Sequence, residues 1–171
     1  MQDHFALFHL PQQFAVDMAA LNRAFHEVQT QVHPDKFVAG TAAEKRVAMQ
    51  WATRANEAYQ TLREPLRRAT YLCELHDVAI EAESNTAMPM AFLMQQMAWR
   101  EALDEARATR DVAALDGIDI ELRQAWQALV GEAAGLLDQD DFTNAAQVIR
   151  KLMFLAKFRE EIGRVVELLE G

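Results

Sequence analysis

The chain is poor in the residues that staple or break folds. It has one cysteine, four prolines and six glycines among 171 residues. A single thiol, Cys73, excludes an internal disulfide framework and a cysteine-based metal cluster. It falls in an apolar helical stretch, where an inert core thiol is expected. No apolar run approaches the roughly 18 residues that would span a bilayer. The opening residues Met1-Gln2-Asp3-His4-Phe5 lack the basic start and apolar centre of a signal peptide. The first recognisable pattern begins almost at once, leaving no room for a transit peptide, and the expected compartment is the cytoplasm. Basic residues are scarce in the second part of the chain. Residues 1–75 are charge-balanced, with 8 Lys+Arg and 8 Asp+Glu, whereas residues 76–171 carry 9 and 18. That acidic half argues against nucleic acid, whose phosphates need a basic surface. It favours a basic protein partner, although a solvated acidic surface needs none.

What is present is helical. With 51% hydrophobic and 25% charged residues, the composition is that of a globular protein. A chain of this length buries enough surface for one large or two small cores. Met18, Leu21, Phe25, Val28 and Val32 form one apolar stripe over 18–32, with Asp17 as its N-cap and Val16 and Leu21 as a possible staple. Val47, Trp51, Ala55, Ala58 and Leu62 form another over 42–63. Thr41-Ala42-Ala43-Glu44 is a capping box opening that second helix. A short helix at 3–8 precedes the pair and one at 66–76 follows. Facing stripes across a short connection predict an antiparallel hairpin.

The connection is His33-Pro34-Asp35-Lys36-Phe37. Pro34 disfavours helical dihedrals at the residue before it and ends the first helix near His33. Asp35 and Lys36 are then presented by a loop held at both ends, a usual place for recognition residues. Taken alone, His, Pro and Asp between helices are also ordinary turn residues. His26 and His33 share a helix face, but no third and fourth ligand is spaced to complete a metal site.

Residues 77–88 lose the stripe and are expected to connect two lobes. Beyond them lie three long helical patterns, 89–107, 112–138 and 141–169, with Asp140 or Asp141 capping the last. Leu122, Trp126, Leu129, Ala133 and Leu136 mark the middle stripe. Val148, Leu152, Leu155, Ile162, Val166 and Leu169 mark the last. Narrow stripes joined by short turns predict a three-helix antiparallel bundle or coiled coil. The pattern over 89–107 differs in carrying two stripes. Phe92, Trp99, Leu103 and Ala106 make one. Met90, Leu93, Met94 and Met97 make the other, continued by Glu101, Asp104 and Glu105. The surplus stripe either packs on the first lobe, or on a larger bundle, or is an exposed recognition face. Methionine suits adaptable surfaces, and an apolar patch bordered by acid suggests a partner site. Phe154, about 120° off the core stripe of the last helix at roughly 100° per residue, could join it.

Three separated motifs in order resemble a J-domain, the module of DnaJ-type co-chaperones. They are Phe5-Ala6-Leu7-Phe8-His9-Leu10, the His33–Phe37 loop, and Asn56-Glu57-Ala58-Tyr59 with Leu62, Pro65, Arg68, Ala69 and Tyr71. They cover roughly residues 3–75. No Gly/Phe-rich linker or zinc-binding CxxC repeat of general J-proteins follows. Instead Phe92-Leu93-Met94-Gln95-Gln96-Met97-Ala98-Trp99-Arg100-Glu101 and Arg150-Lys151-Leu152-Met153-Phe154-Leu155 resemble the C-terminal domain of the HscB family, the J-type co-chaperones of iron–sulfur cluster biogenesis.

The resemblance implies an all-α fold, with a J-domain at 1–76, a connection at 77–88 and a three-helix scaffold-binding bundle at 89–171. It implies a co-chaperone that docks on an HscA-type, DnaK-class chaperone and stimulates its ATPase. The bundle would deliver the iron–sulfur scaffold IscU, with no enzyme activity, metal or cofactor of its own and no nucleic-acid or membrane partner. His33, Pro34, Asp35, Lys36 and Arg23 would contact the chaperone. Leu93, Met94, Met97, Glu101, Glu105 and Phe154 would contact the scaffold. The chain departs from the family at Val32, where tyrosine is usual. It departs again in helix 18–32, where Arg23 is the one fixed positive charge, and at Gln95 and Ala98, where carboxylates are common. Val32 is expected to alter packing near the loop but not the loop itself, and the single Arg23 charge to weaken or retune docking. Gln95 and Ala98 are expected to reduce electrostatic steering while the apolar contact remains. The competing readings are a J-domain adaptor for general clients and a structural helical dimer built on the Met stripe.

Overall fold

The computed structural model describes residues 2–80 and 88–171. Among the described residues seven α-helices run α1 (His4–Leu7), α2 (Met18–Val32), α3 (Ala42–Arg63), α4 (Pro65–Leu75), α5 (Met90–Thr109), α6 (Val112–Asp138) and α7 (Phe142–Glu170), with a 3₁₀ turn, Pro34–Phe37, between α2 and α3. The chain divides into two compact units, Met1–Leu72 and Cys73–Gly171. Most of the connection expected at 77–88, residues 81–87, lies outside the described residues.

Local chemistry sets the helix ends. Asp17 Oδ1 accepts from the Ala19 and Ala20 amides at 3.0 and 3.2 Å and starts α2. Thr41 Oγ1 accepts from Glu44 N–H at 3.2 Å while Glu44 Oε2 accepts from Thr41 N–H at 2.9 Å. This reciprocal box satisfies two amides that the first turn of α3 would leave unpaired. It also needs Gly40, because a Cβ there would lie 2.8 Å from Glu44 Oε2. Asp111 and Asp141 cap α6 and α7, each preceded by a left-handed residue, Arg110 or Asp140, that turns the chain.

In the first unit α2 and α3 pack as the expected hairpin, and α1 lies against α3. Phe5, Phe8, Phe14, Leu21, Ala55, Ala58 and Leu62 are buried. Phe25 stacks on Tyr59 with centroids 4.1 Å apart, and the Tyr59 hydroxyl donates to Asn22 Oδ1 at 2.8 Å. Pro65 opens α4, where its missing N–H costs nothing. Arg68 is buried, donating to the Leu62 carbonyl at 2.7 Å and lying over the Phe14 ring at 4.7 Å. Much of the Asn56–Tyr71 motif is therefore structural: it packs the hairpin and anchors α4.

The α3 stripe differs from its expected course. Val47 and Trp51 are 51% and 39% exposed, whereas Ala48 is buried and Ala52 half-buried. At about 100° per residue, Ala48 lies only about 20° from buried Ala55, while Val47 lies about 80° away. Alanine on the inner face lets α2 and α3 approach closely, and the larger apolar residues are left outside.

His4 stacks on Tyr71 at 4.4 Å, and its amide donates to the Tyr71 hydroxyl at 2.9 Å. Burial lowers the His4 pKa below its ordinary value, with Glu57 opposing and Arg54 reinforcing the shift. The folded unit therefore resists protonation that the unfolded chain accepts. Stability should fall as pH drops through the unfolded histidine value of about 6.5 and level off once folded His4 is also protonated. His4→Phe, which keeps a stacking ring without a titrating group, should flatten this component in melting curves taken across that range. An unchanged pH slope in the variant would assign it elsewhere.

In the second unit α5, α6 and α7 form the expected three-helix bundle. Its core joins Trp99, Leu103 and Ala106 of α5 to Leu115, Ile118 and Leu122 of α6 and to Leu155, Phe158, Ile162 and Val165 of α7. Near the last turns of α7 the inward residue is Val165, with Val166 only half-buried; in α6 it is Leu137 ahead of Leu136. Trp99 Nε1–H donates to Glu121 Oε2 at 3.0 Å, so the one polar atom of this buried indole is paired. Cys73 is buried against the start of α7, and burial pushes its thiol up to about 11. At that value the reactive thiolate is scarce near neutrality.

Candidate functional sites

The loop between α2 and α3 is organised by His33. Its backbone is extended, as a residue before proline prefers, so α2 stops there. The same residue caps the 3₁₀ turn. Its Nδ1 accepts from Asp35 N–H at 3.2 Å, and its carbonyl accepts from Lys36 N–H at 3.0 Å. An accepting Nδ1 places the imidazole proton on Nε2, the tautomer assigned by this bond. The Asp35 side chain is 88% exposed and has Oδ2 3.5 Å from His33 Nδ1. The loop thus fixes the Asp35 backbone and leaves its carboxylate to solvent. Lys36 is exposed beside it, and Pro34 holds the first position of the turn.

Two grooves flank this turn. One, of about 490 Å³, is lined by His26 and Gln29 of α2, by His33, Asp35 and Lys36, and by Asn56 of α3. The other, of about 510 Å³, is apolar, with Val32, Phe37, Val38, Ala48 and Met49. Arg23 is exposed on α2 but lies outside both linings, ten residues and about 15 Å of helix before His33. The structure brings His33, Pro34, Asp35 and Lys36 together and sets Arg23 apart. The apolar groove is not legible in the sequence, where apolar size points Val47 and Trp51 inward rather than Ala48 and Ala52.

On α5 the surplus stripe faces solvent. Met90, Met94 and Met97 are 70%, 63% and 62% exposed, and Leu93 is half-buried. Glu101 and Glu105 follow at helical spacing and are exposed. Phe154 arrives from α7 and is half-buried. Its ring meets Phe92 edge-on at 5.8 Å and stacks on Phe158 at 5.7 Å. Lys151 Nζ lies 5.6 Å over the Phe92 ring. Phe154 is therefore part core and part surface, unlike the methionines. Among the described residues no group of three or more His, Cys, Asp or Glu could hold a metal ion, and no helix is long and apolar enough to cross a membrane.

The family model for the HSCB C-terminal oligomerisation domain matches residues 88–163, which include all of α5 and α6 and most of α7. The co-chaperone protein HscB homolog of Burkholderia multivorans is 56% identical over 167 residues, 98% of this chain and 95% of that protein. The chain belongs to the HscB family. Among solved HscB structures, chaperone HscB from Vibrio cholerae superposes with a TM-score of 0.84 at 38% identity, over 98% of this chain and 99% of its own. The human co-chaperone HscB gives 0.89 at 30% identity, over 95% and 81%. The HscB likeness thus runs through both units, so the loop and the α5 face belong to one co-chaperone architecture. The Met stripe is an exposed surface of the bundle in the second unit.

Proposed function

We propose that this HscB family member couples two partners. Residues 1–76 act as a J-domain that docks on an HscA-type chaperone of the DnaK class and stimulates its ATP hydrolysis. Residues 89–171 bind an IscU-type iron–sulfur scaffold and deliver it to that chaperone, aiding cluster assembly and transfer. The observation that carries this reading is the pairing of a braced turn that exposes the Asp35 carboxylate with an exposed methionine stripe bordered by Glu101 and Glu105.

The chain supplies no chemistry to the hydrolysis. Asp35 pairs with a chaperone arginine in a charge-assisted, potentially bidentate contact. Its amide is held by His33 and its backbone by Pro34, so little ordering is left to the moment of docking. Contacts stronger in one conformation of the chaperone shift its population toward that conformation, here the one competent to hydrolyse ATP. Lys36 and Arg23 add positive charge to the docking side. On the bundle, Leu93, Met94, Met97 and the exposed edge of Phe154 provide apolar area, and Glu101 and Glu105 select a basic rim on the scaffold.

Analytical ultracentrifugation of the chain with the ATP-bound chaperone and the scaffold should show a ternary species, and each binary pair with this chain should sediment as a complex. A scaffold that displaces the chaperone, or fails to bind, would defeat the two-partner reading. Self-association without either partner would favour a helical dimer instead.

A further inference from the structure

Sulfur is unevenly placed on this chain. The one thiol, Cys73, is buried and largely protonated near neutrality, so it offers little thiolate to an oxidant. The eight methionines are placed differently. Among the described residues none of them is buried, and the bundle core contains none. Met90, Met94 and Met97 are the densest group and are all exposed on α5. At about 100° and 1.5 Å per residue they lie within roughly 60° of arc and about 11 Å of helix. Met18 and Met49 are exposed too, but each is the one methionine of its helix. Met153 of α7 is half-buried.

A solvent-facing thioether is open to two-electron oxidation by a peroxide. An S–O bond forms at the methionine sulfur and the peroxide O–O bond breaks. The sulfur is oxidised to the sulfoxide, and the second oxygen leaves with both protons as water. In the reverse step a sulfoxide reductase supplies two electrons and two protons from a dithiol. The sulfoxide oxygen leaves as water and the dithiol becomes a disulfide.

The fold tolerates this change and an apolar interface does not. In the free chain the new S–O groups stay in water, on the side of α5 away from Trp99, Leu103 and Ala106. Buried against a partner, each is a strong acceptor that costs free energy unless a donor meets it. We infer that Met94 and Met97, with Met90 beside them, are a reversible oxidation site at which a peroxide releases the scaffold and a methionine sulfoxide reductase restores it. The inference rests on the scaffold reading above and adds a control to the same face.

The test uses the full chain, treated with hydrogen peroxide and freed of oxidant before any partner is added. One portion is then incubated with a methionine sulfoxide reductase and its dithiol. Peptide mass spectrometry should place added oxygen on Met90, Met94 and Met97 ahead of Met153. Calorimetric titration should show scaffold affinity reduced about tenfold or more by peroxide and recovered after the reductase. The melting temperature should barely move. A chain carrying Met90→Leu, Met94→Leu and Met97→Leu keeps apolar side chains of similar volume without sulfur. It is compared with itself before and after peroxide, so its starting affinity drops out, and peroxide should leave that affinity unchanged. The reductase arm decides alone if leucine at these positions abolishes binding. Normal scaffold binding by the oxidised chain would overturn the inference and leave the scaffold reading standing. So would an equal loss in the leucine variant, a loss the reductase does not reverse, or an oxidised chain that melts early. A reduced chain that never binds the scaffold would defeat the scaffold reading and this inference with it.

Discussion

Asp35→Asn should abolish stimulation of the chaperone ATPase and leave the fold intact. The turn is held by the Asp35 amide, by the His33 carbonyl and by Pro34, none of which the substitution alters. The side chain is 88% exposed and has His33 as its neighbour. An exposed pair of this kind contributes at most about 1 kcal/mol to stability, so the melting temperature should barely move. Docking is different, because a charge-assisted hydrogen bond is worth about 1.5–3 kcal/mol. Its loss weakens association by roughly ten- to a hundredfold, and the weaker amide contact no longer favours the hydrolytic conformation. The measurement is ATP turnover against concentration of variant, with scaffold binding as the control. Retained stimulation would sink the assignment of Asp35.

The second large effect concerns α5. Met94→Ala with Met97→Ala should reduce scaffold affinity by about two orders of magnitude or more, since fully burying each methionine side chain contributes about 1.5–3 kcal/mol. In the free chain these side chains are more than half exposed, so folding stability should change by less than about 0.5 kcal/mol. Phe154 behaves otherwise. It is wedged between Phe92 and Phe158, and its truncation leaves a gap beside a buried ring. Phe154→Ala should lower stability by about 2 kcal/mol or more as well as weakening the scaffold contact. Calorimetric titration and thermal melting on the two variants separate these effects. A double methionine variant that melts early would place the stripe in the core, and one that binds the scaffold normally would move the site elsewhere.

Much of this architecture was legible because its boundaries are written in capping chemistry. Asp17, Pro34, the Thr41–Glu44 box, Pro65 and Asp141 each act within a few residues of chain, so their signals survive without knowledge of the tertiary fold. The exposed turn around Asp35 was legible for the same reason. The second stripe on α5 could be counted from spacing, since a bundle helix needs only one. Other features depend on how elements meet. Nothing local says that Ala48 rather than Val47 faces α2; helix proximity decides that, and apolar size misleads. The 3₁₀ form of the His33–Phe37 loop and the bond from Asp35 N–H to His33 are invisible to periodicity. So is the arrival of Phe154 at Phe92, which joins residues 62 positions apart. Arg23 shows the opposite difficulty, since it shares a helix with the loop but not a groove.

Steady-state ATP hydrolysis by an HscA-type chaperone, measured alone, with this chain, with the scaffold, and with both, tests delivery most directly. A two-partner co-chaperone predicts modest stimulation by each alone and a rate with both that exceeds the sum of the two. Rates that simply add, or stimulation by the chain that ignores the scaffold, would contradict delivery and leave a J-domain adaptor for other clients.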